Sequence, residues 1–162
     1  MLQIMTLGNP LLTKHSGVVP DIDGDVKKLA EDMLSTLADA RGIGLAAVQV
    51  GELVRVFVTR VPKDGSRVFI NPDILETSIE QVDFEEGCLS IPGVNADVTR
   101  PVSVRIQAWN ERGRPFAMTA EGLLARVIQH EFDHLNGILF IDRVNPKKKN
   151  RLLEAYGEHV RL

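Results

Sequence analysis

The stretch V-I-Q-H-E-F-D-H-L-N-G-I-L, Val127 to Leu139, decides how the rest of the chain is to be read. Leu123, Leu124 and Ala125 lead into it, and with Val127, Ile128, Phe132 and Leu135 they leave almost no polar side on a helix, the composition of one buried in a core. Asn136-Gly137 ends that helix, since both residues tolerate the left-handed conformation of a C-terminal cap. Within it His130 and His134 stand four apart. At about 100° per residue, positions i and i+4 lie about 40° apart, so two imidazoles can reach one metal ion. Glu131 projects beside them, too close in sequence to His130 to be an easy third ligand and well placed to exchange a proton with a water on such an ion. The plain alternative, two surface histidines on an amphipathic helix, sits badly with so apolar a setting.

Composition sets the frame. The 162 residues carry 44% hydrophobic and 25% charged side chains and a formal net charge of -3. That suits a single domain over residues 1–162 with a core of its own, and does not suit wholesale nucleic-acid binding. No apolar run approaches the roughly 20 residues of a membrane span, and Met1 to Pro10 lacks the basic start and long apolar run of a signal peptide. A cytoplasmic protein with no membrane partner is expected. Cys88 is the only cysteine, so no internal disulfide can form. A lone cysteine in a reducing compartment reads first as a small buried hydrophobe, a reading that weakens beside a metal site short of a ligand.

Outward from the helix, Met1 to Pro20 reads as an extended arm with an apolar patch at Leu11-Leu12. Val26, Leu29, Ala30, Met33, Leu34 and Leu37 fall at helical spacing after an N-cap at Asp23 or Asp25. Gly42-Ile43-Gly44-Leu45-Ala46-Ala47-Val48-Gln49 follows. A helix before it and a strand after it reverse the order that a dinucleotide fingerprint requires. The glycines therefore make either a tight turn or a bare backbone that a ligand can approach, and Gln49, an amide among apolar neighbours, favours the second.

Val54 to Thr59 and Arg67 to Ile70 read as a hairpin through Lys63-Asp64-Gly65-Ser66, with Asn71-Pro72 breaking the second strand. Ile74 to Phe84 reads as extended, Val102 to Trp109 as a half-buried strand, and Phe116 to Thr119 and Ile138 to Ile141 as short strands. Lys147, Lys148, Lys149 and Arg151 open a last helix. Its basic face reads first as solvated, and second as a dock for an acidic or RNA partner. The expected fold is α+β, mostly antiparallel sheets packed around a central buried helix that carries the H-E-x-x-H motif.

Two histidines leave a tetrahedral catalytic ion one protein ligand short. Cys88, beside Gly87 in a turn-rich loop, is one candidate. Glu154, 20 residues beyond His134 at a separation that resembles the thermolysin-like peptidases, is the other. A third reading is a non-catalytic metal-binding or ribosome-docking protein.

Three motifs carry a resemblance: Gly42 to Gln49, Glu86-Gly87-Cys88-Leu89-Ser90, and Gln129-His130-Glu131-Phe132-Asp133-His134-Leu135. Together and in this order the chain resembles the peptide deformylases. The resemblance implies a metallohydrolase in which Cys88, His130 and His134 bind Fe2+, replaceable by Ni2+, Co2+ or Zn2+. It implies that Glu131 is general base and acid, and that the Gln49 amide and the Leu89 N–H hold the oxyanion. The substrate would be the N-terminal formyl-methionine of nascent peptides, with formate released. An apolar pocket of Ile43, Gly44, Leu123 and Val127 is expected to take the methionine, and a ribosome contact is the second reading of the basic last helix. Two departures stand out. Val48 replaces the family's usual proline, and Asn95 stands where some relatives carry arginine.

Overall fold

The computed structural model describes residues 2–161, the side chain of Arg161 excepted, so Met1 of the expected arm and Leu162 lie outside the description. Helix α1 spans Gly24–Asp39 and starts where Asp23 accepts a hydrogen bond from Val26 N at 3.0 Å. This is the N-cap expected of an acidic residue before an apolar-periodic run. Ala30, Met33 and Leu37 are fully buried on its inner face.

Seven strands follow: β1 Gly44–Ala46, β2 Val56–Val61, β3 Gly65–Thr77, β4 Gln81–Cys88, β5 Ile91–Pro101, β6 Ser103–Trp109 and β7 Pro115–Glu121. Five of them form one antiparallel sheet in the order β1-β2-β3-β6-β7, and β4-β5 form a separate two-stranded sheet. Helix α2 spans Gly122–Leu135 and α3 spans Pro146–Arg161. The result is an α+β fold of antiparallel sheets with three helices.

β2 and the Val68–Ile70 part of β3 are buried on both faces, which explains why β2 reads as a continuous apolar run, whereas β6 alternates buried and exposed residues. Phe57 and Phe69 stack at 4.6 Å and pack with Ala125, Ile128 and Leu135 of α2. Val56, Val58 and Ile70 point to the opposite face, against Ala30, Met33 and Leu37 of α1. A third cluster joins Leu12, Ile91, Val94 and Val98 to Phe140, with Leu152 and Tyr156 of α3 packed on it.

Several local expectations change. Asn71-Pro72 does not break the second strand of the hairpin. β3 runs on to Thr77 through a register shift between Ile70 and Asp73. Asn71 takes a left-handed φ of 49° there, and its side chain bridges the arm by accepting from Val19 N at 2.8 Å and donating to Val19 O at 2.9 Å. Ile138 to Ile141 is not a strand. Phe140–Arg143 forms a 3-10 turn, with Leu139 N donating to Asp142 Oδ2 at 2.9 Å, and its burial rather than sheet pairing accounts for its apolar character. The arm is not uniformly extended either: Pro10–Thr13 is a 3-10 turn that buries Leu12 in the third cluster. Strand β5 is the longer partner of a full hairpin with β4.

Candidate active site

The H-E-x-x-H residues lie in the last turns of α2, where His130, Glu131 and His134 are all buried. The β4-β5 hairpin brings Cys88 to them. One donor atom from each of Cys88, His130 and His134 lies within 4.8 Å of the others, and Cys88 Sγ stands 3.4 Å from His134 Nε2. A tetrahedral ion with bonds of about 2.3 Å to sulfur and about 2.0 Å to nitrogen would hold such donors about 3.5 Å apart, so a thiolate and two imidazoles at this spacing fit a metal ion. Glu154, the rival ligand, is exposed on α3 and is not part of the cluster.

The carboxylate of Glu131 adds to that fit. Its Oε1 is buried with no hydrogen-bond partner, and its Oε2 lies 4.0 Å from His130 Nε2. Burial pushes its pKa up to about 7, with the nearby Glu86 and Asp133 charges adding to the rise. The two histidines shift in opposite directions. Burial alone would lower His130, but the Glu131 charge and its other neighbours outweigh it and hold that imidazole well above its ordinary value. His134 is held well below, by burial and then by repulsion from His130.

Gln49 is clamped from both ends. Its Oε1 accepts from Ala46 N at 2.9 Å, and its Nε2 donates to Ser90 Oγ at 3.0 Å and lies 3.6 Å from Cys88 Sγ. This pairing explains a buried amide among apolar residues. Gly44 explains the bare backbone: a Cβ there would stand 2.6 Å from Glu131 Oε2 and 2.7 Å from Val127 Cγ1. Only a residue without a side chain lets β1 lie this close to the helix.

A cavity of about 380 Å³ opens over these groups. Ile43, Gly44, Gln49, Cys88, Leu89, Leu123, Val127, His130 and Glu131 all line it, while His134, fully buried, closes the cluster from below. Leu123 and Ile43 are the exposed rim and Val127 the buried wall. Asn95 is exposed on β5 opposite Gly87 in the register, and Val48 is fully buried in the core beneath the loop.

The sequence reading missed the buried charges behind the site. Glu86 accepts from His130 Nδ1 at 2.8 Å, from Arg100 Nε at 2.6 Å and Nη2 at 3.0 Å, and from Arg126 Nη1 at 2.8 Å. Burial opposes ionisation of Glu86, yet the donors of His130 and Arg100 pull its pKa down to about 2. Asp133 in turn accepts from Arg100 and from both ends of the Arg143 fork. A signal was present in β5: Val94, Ala96, Val98 and Arg100 alternate inward, so Arg100 is a charge at a core position and had to have a buried partner.

A family model described as Polypeptide deformylase matches residues 1–150. The chain belongs to the peptide deformylase family. That family consists of metal-dependent hydrolases, and its members resemble this chain from end to end. The peptide deformylase of Mesorhizobium japonicum is 45% identical over 157 residues, covering 94% of this chain and 89% of the relative. That of Treponema pallidum is 46% identical over 156 residues and covers 96% of both. Among solved structures, the peptide deformylase of Ehrlichia chaffeensis superposes with a TM-score of 0.95 at 35% identity, covering 99% of this chain and 97% of the other. The Synechococcus elongatus peptide deformylase in complex with actinonin superposes with a TM-score of 0.91 at 44% identity, covering 96% and 86%. Among the described residues no helix is long and apolar enough to cross a membrane.

Proposed function

We propose that Cys88, His130 and His134 hold a ferrous ion, that Glu131 carries protons between water and the departing amine, and that Gln49 and the Leu89 N–H stabilise the oxyanion. The reaction is the family's: hydrolysis of the formyl group from the N-terminus of formylated new polypeptides, with release of formate. The observation that carries the residue assignment is the meeting of the Cys88 thiol with both imidazoles beside a buried, unpartnered Glu131 oxygen.

When bound, the ion acidifies a water and polarises the formyl oxygen. Glu131 does the proton work. Its buried, unpartnered Oε1 lies beside the ligand cluster, so it can take a proton from the attacking water and return it to the amine. The Gln49 amide, fixed through its oxygen to Ala46 N, directs its N–H groups towards Ser90 and Cys88, at the edge of the cavity where negative charge develops. Ile43, Gly44, Leu123 and Val127 receive the methionine and its backbone. His130 is oriented through Nδ1 by Glu86, leaving Nε2 for the ion.

Imidazole and thiolate donors accept several first-row metals, so Ni2+, Co2+ or Zn2+ can stand in for iron. The wider reading is a single catalytic domain built around α2, working in the cytoplasm, with the basic start of α3 touching the ribosome. Anaerobic turnover of iron-loaded protein on a formyl-methionyl tripeptide tests the core of the proposal. Formate and free amine should appear in equal amounts and vanish with Cys88→Ala. Activity that survives the substitution, or amine without formate, would point to a peptidase with another ligand.

A further inference from the structure

A second cavity, of about 440 Å³, adjoins the first and shares Gly42 and Ile43 with it. Three cations line it, Arg41, Arg60 and Lys63, and no carboxylate does. Among the described residues none of the three is in a salt bridge. Asp64, the nearest acid in sequence, is held by the Arg67 fork at 2.7 and 3.0 Å. So a chain of net charge -3 gathers three free positive side chains beside its substrate cleft.

The backbone aims a peptide at them. β1 is the edge strand of its sheet. Ile43 O accepts from Arg60 N at 2.8 Å, with Gly44 opposite Thr59. By the antiparallel alternation, the N–H and C=O of Gly44 therefore face away from β2, towards the open edge. An extended peptide can add there as a further strand. Gly44 abuts Glu131, so the order Gly44, Ile43, Gly42, Arg41 leads away from the reacting centre. At about 3.3 Å per residue, a peptide with its formyl group at Glu131 brings its third and fourth residues about 9 to 12 Å along this edge, level with the second cavity.

We propose that Arg41, Arg60 and Lys63 form an anionic subsite that favours nascent chains with aspartate or glutamate at the third and fourth positions. This inference rests on the reading of the first cavity as the formyl-methionine site. The contacts are exposed, so each is screened by salt and changes affinity by about two- to fivefold. Two of them together lower KM about tenfold and leave kcat alone, because the charges lie far from the bond that breaks.

The test compares the C-terminal amides of formyl-Met-Ala-Glu-Glu-Ala, formyl-Met-Ala-Lys-Lys-Ala and the neutral formyl-Met-Ala-Ser-Ser-Ala on the metal-loaded enzyme and on the Arg60→Glu/Lys63→Glu variant. The wild type should show a KM about tenfold lower for the glutamate peptide at low ionic strength, and the difference should collapse above about 0.5 M salt. In the variant the preference should reverse, with the neutral peptide unchanged. Equal KM values for the two charged peptides in the wild type, or a preference that survives charge reversal, would overturn the proposal. So would a variant defect seen only on ribosome-bound nascent chains, which would make the patch a contact for RNA phosphates. No turnover of the neutral peptide by wild type would instead sink the deformylase reading on which the subsite rests.

Discussion

Replacing Arg126 by methionine isolates the buried charges behind the proposed metal site from its proposed ligands. Arg126 is 6% exposed and spends all its bonds on structure: Nη1 to Glu86 Oε2 at 2.8 Å and to Val98 O at 2.6 Å, and Nη2 to Val82 O at 2.8 Å. It thereby fastens both strands of the β4-β5 hairpin, which delivers Cys88, to the helix that carries the histidines. A hydrogen bond to a buried charge contributes about 1.5–3 kcal/mol, and stripping a buried ion of its whole partner costs about 3–5 kcal/mol. Glu86 keeps two donors from Arg100 and one from His130 after the change, so the loss belongs at about 2–3 kcal/mol. In urea, with a slope of about 2 kcal/mol per molar, the midpoint should fall by about 1–1.5 M. Metal affinity should fall about 10- to 100-fold, because Glu86 orients His130. Arg126→Lys, which keeps a charge but not the fork, should recover only part of either. Urea titration and competition with a chelator read the two quantities separately. A variant that unfolds within 0.5 kcal/mol of wild type and retains its metal would show that the network does not hold the site together.

Other substitutions divide the site by role. Gly44→Ala should cut kcat/KM by at least 100-fold while metal content stays full, since the new Cβ would press on Glu131 and Val127; near-wild-type kinetics would mean that β1 can retreat. Gln49→Leu should lower kcat by about 10²–10³ with metal retained, measured by steady-state kinetics alongside elemental analysis; a rise in KM alone would place the amide in ground-state binding. Glu131→Gln should bind metal normally and turn over nothing detectable above background, and loss of metal in that variant would make Glu131 a ligand. Chelation should destabilise the wild type by about 1.4 kcal/mol for each tenfold by which metal exceeds its dissociation constant, visible as a lower Tm, and should leave Cys88→Ala almost unmoved.

The helix of the metal motif was legible because its apolar residues ran on every side of two histidines, and α1 because Asp23 caps a regular 3.6-residue pattern. The sheet was harder to read where pairing overrode local signals. Asn71-Pro72 looks like a stop in isolation, yet a bulge and two side-chain bonds to Val19 let β3 pass through it. Ile138 to Ile141 has strand composition, but its burial is against α3 and the hairpin, not beside another strand. Cys88 could be nominated from its loop, whereas its rank over Glu154 depended on which of the two the fold brings to α2, a long-range fact that sequence spacing does not encode.

The most instructive contrast lies between two glutamates that the sequence alone would treat alike. Glu86 and Glu131 are both buried, and burial raises the pKa of both. Glu86 meets two guanidinium groups and the Nδ1 of a histidine, and stays ionised down to about 2. Glu131 has no guanidinium bonded to it, only His130 Nε2 at 4.0 Å, and one of its oxygens is bonded to nothing, so it rises to about 7. The same residue type is thus held as a fixed anion in one place and left with a raised pKa in the other. The arginines of α2 and β5 make the difference. By saturating Glu86 and Asp133, Arg100, Arg126 and Arg143 leave Glu131 as the carboxylate beside the cluster with no arginine or lysine paired to it among the described residues, only the His130 imidazole. A buried group left in that condition is costly to the fold, and its position against Gly44, in the buried wall of the cavity, is where such a cost would serve the proton transfer proposed for it.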